Sequence, residues 1–152
     1  MRARAAILLT ILATAAAAGC GGDSQQRNDY VKALNKAQSG LAQRFQALQS
    51  RITPTSTPGQ DERTLRAYEG AVRTTVADLE AVEPPSGFDA LHRRFVGQVA
   101  GYGSALEAAR AGLRSDDPQK ILAAQGQLRA AIARAGTRLN ATIQAINDKI
   151  KG

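Results

Sequence analysis

Residues 88–113 read FDALHRRFVGQVAGYGSALEAARAGL. The apolar positions Phe88, Leu91, Phe95, Val99, Tyr102, Leu106, Ala109 and Leu113 recur at alternating spacings of three and four. That rhythm lays them along one stripe of an α-helix, and no period-two alternation of the kind a strand requires competes with it. The flanks carry stop and start signals. Upstream, Glu83-Pro84-Pro85 closes whatever precedes, and Ser86, with Asp89 three residues on, is expected to cap the helix. Downstream, Ser115-Asp116-Asp117 ends the stripe, and Asp117-Pro118 opens a new helix with proline in its first turn.

Working outward, the same rhythm appears three more times. Residues 25–52 place Tyr30, Leu34, Ala37, Leu41, Phe45, Leu48 and Ile52 on one face, up to the break at Thr53-Pro54. Thr57-Pro58-Gly59-Gln60 has the residues of a capping box, Thr57 at the cap and Gln60 three residues later. The helix it opens carries Leu65, Tyr68, Val72, Val76, Leu79 and Val82. After Pro118 come Ile121, Leu128, Ile132, Ala135, Leu139, Ile143, Ile146 and Ile150, with Gln125 the one polar intrusion. Four stripes near the 3.5-residue period, joined by short connections, predict an all-α, antiparallel up-down-up-down four-helix bundle over residues 29–152.

The N-terminal residues follow a different logic. Met1-Arg2-Ala3-Arg4 is positive, Ala5–Ala18 is uncharged and largely apolar, and Ala17-Ala18-Gly19-Cys20 places small residues before a thiol. A positive start, an apolar middle and small residues at a cut site form the secretory pattern. The tetrapeptide ending at Cys20 resembles the lipobox of bacterial lipoproteins, with Ala17 where that family usually has Leu, Val or Ile. The resemblance implies that residues 1–19 are a signal peptide, that Cys20 becomes the lipid-bearing first residue, and that the chain is held at the extracytoplasmic face of the cell membrane. Residues 20–28, Gly-rich at their start and then polar, are expected to be the lipidated tether.

Composition bounds the chemistry. The formal charge is +7, of which Arg2 and Arg4 supply two, leaving +5 after cleavage. The cations are dispersed along the sequence, without the basic block of a nucleic-acid-binding arm, so nucleic acid is not an expected partner. Cys20 is the only cysteine and lipidation consumes it; no disulfide, cysteine-ligated zinc or haem-attachment site follows. His92 is the only histidine. Asp89 lies one turn before it, which is half a metal site at best, and the expected stripes hold no acid to complete one. His92 therefore reads as a solvated flank, and Arg110 likewise as an exposed position whose loss costs little. Asp61/Glu62 and Asp116/Asp117 fall at helix starts, where they complement the helix dipole. No nucleophile elbow, phosphate loop or dinucleotide fingerprint is present. No metal and no cofactor is expected.

The remainder of the chain resembles the small helical lipoproteins of actinobacteria, through Leu79-x-x-Val82-x-Pro84-Pro85 followed by Leu91-His92 in an Ala/Arg-rich helical sequence. That likeness implies location and fold and no activity. The expected role is a non-enzymatic interaction or envelope-structural module, partnered by the membrane through Cys20 and by another envelope protein or an anionic envelope polymer. A small-ligand carrier is the alternative. It would use a mid-bundle pocket beside Tyr102, opened by the mid-helix glycines Gly97 and Gly101, whose spacing of four also permits a close helix contact.

Overall fold

A computed structural model of the chain describes residues 22–49, 51, 55 and 57–151. They form α1 (Gly22–Gln49), α2 (Pro58–Glu80), α3 (Asp89–Leu113) and α4 (Pro118–Lys151), with no strand among the described residues. Residues 1–19, expected to be a signal peptide, Cys20 and the expected break at residues 52–54 lie outside the described residues. The fold is the expected antiparallel four-helix bundle. Its register is visible in side-chain bonds between consecutive helices. Tyr68 Oη donates to the Phe45 carbonyl at 3.2 Å, Arg110 Nε donates to Glu69 at 2.8 Å, and Tyr102 Oη donates to the Ile132 carbonyl at 3.3 Å.

The helix ends show why the segments begin where they do. At α2 the capping box forms in full. The Gln60 amide donates to Thr57 Oγ1 at 3.3 Å, and the Thr57 amide donates to Gln60 Oε1 at 2.7 Å. A cap of this kind contributes about 1 kcal/mol. At α4 the Gln119 amide donates to Asp117 Oδ1 at 2.9 Å, ahead of which Pro118 has no N–H to satisfy. The start of α3 departs from expectation. Ser86 does not cap it; Phe88 occupies the cap position without a side-chain bond. Instead Pro85-Ser86-Gly87-Phe88 forms a tight turn, closed by the Phe88 amide donating to the Pro85 carbonyl at 2.9 Å. Gly87 sits at φ +80°, which a side chain would strain, and the turn delivers Phe88 into the core at 1% exposure. At the other departure, α1 begins at Gly22, so residues 22–28, expected as a tether, are helical.

The core is tightest where α1 begins, α2 ends, α3 begins and α4 ends. Leu34, Leu79, Phe88, Phe95 and Ile146 are each no more than 1% exposed there. Burying each such side chain is worth about 1.5–3 kcal/mol. We call this the entry end. Toward the far end the packing loosens. Leu41, Phe45, Leu128 and Ile132 are only partly buried, and Leu122 is 60% exposed. The far end is held by charge instead. Glu62 receives Arg66, Arg110 and Arg114, and Arg110 also clasps Glu69, whose side chain is 8% exposed.

Candidate functional site

At the entry end the fold brings the one histidine against a buried tyrosine. Tyr30, about two turns into α1, reaches across to α3, and its hydroxyl lies 3.2 Å from His92 Nδ1. The rings are 5.7 Å apart, and Tyr30 meets Phe88 edge-on at 5.8 Å. The Leu79 carbonyl of α2 lies near enough to the ring to favour its protonated form. The hydrogen bond to Tyr30 ties α3 to α1. His92 is a buried residue, 7% exposed, and not the solvated flank its position beside the stripe suggests. A neutral ring suits this place, accepting the Tyr30 O–H at Nδ1.

Burial sets the electrostatics. It pushes His92 below the ordinary imidazole range, with the Leu79 carbonyl and Asp89 pulling weakly the other way. Burial, reinforced by Asp89, pushes the Tyr30 hydroxyl up to about 12. Lys149, in the last turn of α4, holds its ammonium 5.4 Å from the Phe88 ring centroid and covers this end of the core. Alongside, α1 and the segment after α2 border an open groove of about 580 Å³, lined by Gln25, Asp29, Tyr30, Val82 and Glu83 among others.

Chemically this arrangement is quiet. The hydrogen bond of the His92 side chain goes to Tyr30, and among the described residues no serine, threonine or cysteine is bonded to the ring for activation. Among the described residues, no three of His, Cys, Asp and Glu gather in a way that could hold a metal ion. Tyr102, the anchor of the mid-bundle pocket expectation, is 9% exposed, with its hydroxyl bonded to Ile132. Cβ atoms added at Gly97 and Gly101 would meet nothing within 4 Å, so these glycines mark neither a close helix contact nor a hollow in the core. The close contact is at Gly112, where an added Cβ would overlap the Cβ of Ala124 in α4.

Two groups escaped the sequence reading. Glu62 serves a four-residue ion network more than the dipole of α2, and the Arg114 hydrogen bond holds its carboxyl below the usual carboxylate range. Glu69 is a buried acid, and Arg110 is its partner instead of a dispensable exposed cation. The signal was present. Glu62 and Glu69 stand seven apart on one helix and Arg110 and Arg114 four apart on the next, which is how charges flank a packed stripe. Among the described residues, no helix is long and apolar enough to cross a membrane. No family model, curated protein or solved structure matches the chain.

Proposed function

We propose that the chain is a lipoprotein, anchored through a lipid on Cys20 at the extracytoplasmic face of the cell membrane, and that its bundle is a non-enzymatic interaction or envelope-structural module. The observation that carries the anchor is the order of the first 20 residues: two arginines, an uncharged apolar run, small residues, then the one cysteine. The bundle fits that reading. α1 begins at Gly22, two residues after Cys20, which supports an orientation with the entry end toward the bilayer. A module role draws support from the site chemistry. The one histidine is hydrogen-bonded within the core, the threonines Thr64, Thr75 and Thr142 are buried, and Tyr102 fills the place where the carrier reading needs a pocket.

The test is Cys20→Ser in a bacterial host, with metabolic labelling by a fatty acid and membrane fractionation. The expected result is an acyl label on the wild-type chain, lost in the variant together with membrane retention. An unlabelled wild type retained in the membrane as well as the variant overturns the proposal.

A further inference from the structure

We propose that the outer face of α4 is a docking surface for a flexible linear polyanion. Residues 20–117 contain twelve Lys and Arg against twelve Asp and Glu and are neutral. The whole +5 of the chain after Cys20 belongs to α4, whose six cations face only one acid, Asp148. The ion pairs follow the same division. Those among the described residues join side chains of α1, α2, α3 and Arg114 just after α3, and none involves Lys120, Arg129, Arg134, Arg138 or Lys151. In linear sequence these cations look dispersed. On the helix they form two borders. Arg134 and Arg138 stand one turn apart on one side, and Arg129 lies roughly 140–180° round from them on the other.

Between the borders runs a strip of Ala123, Gly126, Ala130, Ala133, Thr137 and Ala141, all exposed. The helix is 34 residues, about 51 Å long. The strip is low in relief, so a chain can lie along it while guanidinium groups reach over it from both sides. Guanidinium forks pair phosphate or carboxylate oxygens two at a time, which favours a ligand with many such groups. Between the borders the one large apolar side chain is Leu122, 60% exposed, and there is no Trp or Phe, which is too little for the apolar face an interfacial helix inserts into a bilayer. The strip also has no aromatic anchor of the sort that dominates protein–protein interfaces. A repeating anionic polymer needs neither.

The experiment uses full-length protein in neutral detergent and immobilised linear polyphosphate as probe, with binding followed from low to moderate salt. Two variants remove the same charge. One replaces Arg129, Arg134 and Arg138 with Gln; the other replaces the exposed Arg63, Arg73 and Arg93 with Gln. The expected result is salt-sensitive binding by wild type, kept by the second variant. The first should lose at least about tenfold in affinity, and its logarithmic salt slope should fall by about 2, as three lost phosphate contacts require. Equal losses in both variants, or no binding by wild type, overturn the proposal. A second measurement addresses the membrane. A Thr137→Cys chain, labelled with an environment-sensitive fluorophore, is reconstituted into vesicles with and without phosphatidylglycerol. Unchanged emission is expected; a blue shift confined to the anionic vesicles would assign the face to lipid and overturn the polymer.

Discussion

Replacing Gly101 or Gly126 with alanine should raise the melting temperature of the protein, and replacing Gly112 should lower it. All three are helical glycines, so propensity alone predicts the same gain for each, about 0.8–1 kcal/mol. The structure separates them. A Cβ at Gly101 or Gly126 points into open space and meets nothing within 4 Å. A Cβ at Gly112 falls inside the contact distance of Ala124 Cβ, with the Ala124 Cα 3.7 Å and the Lys120 carbonyl 3.9 Å behind it. Ala124 is 6% exposed and has no flexible side chain to swing away, so α3 and α4 must separate. Overpacking of this kind costs about 1–3 kcal/mol, which exceeds the propensity gain near a helix end. For a chain of this size, 1 kcal/mol is worth about 3–4 °C. Gly101→Ala and Gly126→Ala lie on different helices and should add, giving about 7 °C together. Gly112→Ala should fall by several degrees, and adding Ala124→Gly should recover more than the two single changes predict. Thermal unfolding followed by circular dichroism at the helical band decides it. If Gly112→Ala melts as high as Gly101→Ala, the far-end contact between α3 and α4 is not formed and the argument fails.

Arg110→Ala should destabilise the bundle, because it leaves Glu69 buried without its partner; replacing both Arg110 and Glu69 with apolar residues of similar volume should recover most of the loss, as urea midpoints would show. Leu106→Asp should abolish cooperative unfolding: Leu106 is 5% exposed, and truncation there alone costs about 2–5 kcal/mol before the carboxylate is desolvated. Stability should also fall in mild acid through His92. Its folded value lies below the ordinary 6.5, so the unfolded chain takes up the proton first. The contribution is therefore fully present above about 6.5 and is lost as pH falls through the folded value. His92→Gln, which can still bond Tyr30, should flatten the urea midpoint between pH 7 and 5; a wild-type midpoint constant over that range would refute the buried neutral imidazole.

The helices and most of their ends were legible because they rest on local chemistry. A 3.5-residue rhythm needs only a face, and the Thr57–Gln60 box closes within four residues. What escaped depends on neighbours distant in sequence. His92 is next to Leu91 on the wheel, and a half-step of rotation decides which of them enters the core; the Tyr30 hydroxyl, 62 positions away, makes the polar one acceptable. Glu69 sits between Leu65 and Val72, and only the approach of Arg110 turns that flank into an interior. Ser86 has the right chemistry for a cap, but the turn at Gly87 moves the helix start past it. The Gly-rich reading of residues 20–28 gave too much weight to Gly21 and Gly22. Gln25, Gln26 and Arg27 are adequate helix formers, and the burial of Tyr30 and Val31 at 2% and 6% holds the turns beneath them in place.

That early start of α1 joins the two proposals. With the lipid on Cys20, Gly21 alone would separate the acylated residue from the first helical one, a reach of about 7 Å. A connection so short holds the entry end near the headgroups, where an eight-residue coil would let the bundle swing. Lys149 and Lys151 then lie at the bilayer surface with Asp29, Glu83 and Asp89 beside them, and this mixed rim gives little net attraction to anionic lipid. Arg138, Arg134 and Arg129 follow at increasing distance along the helix, the last about 33 Å from Lys151. On the proposed anchoring, the cations of the two borders, which make no ion pair among the described residues, would be the ones carried away from the membrane. On that proposal, an anchor of this length would set the direction in which α4 projects, and the net charge of the chain after Cys20 would be displayed along it.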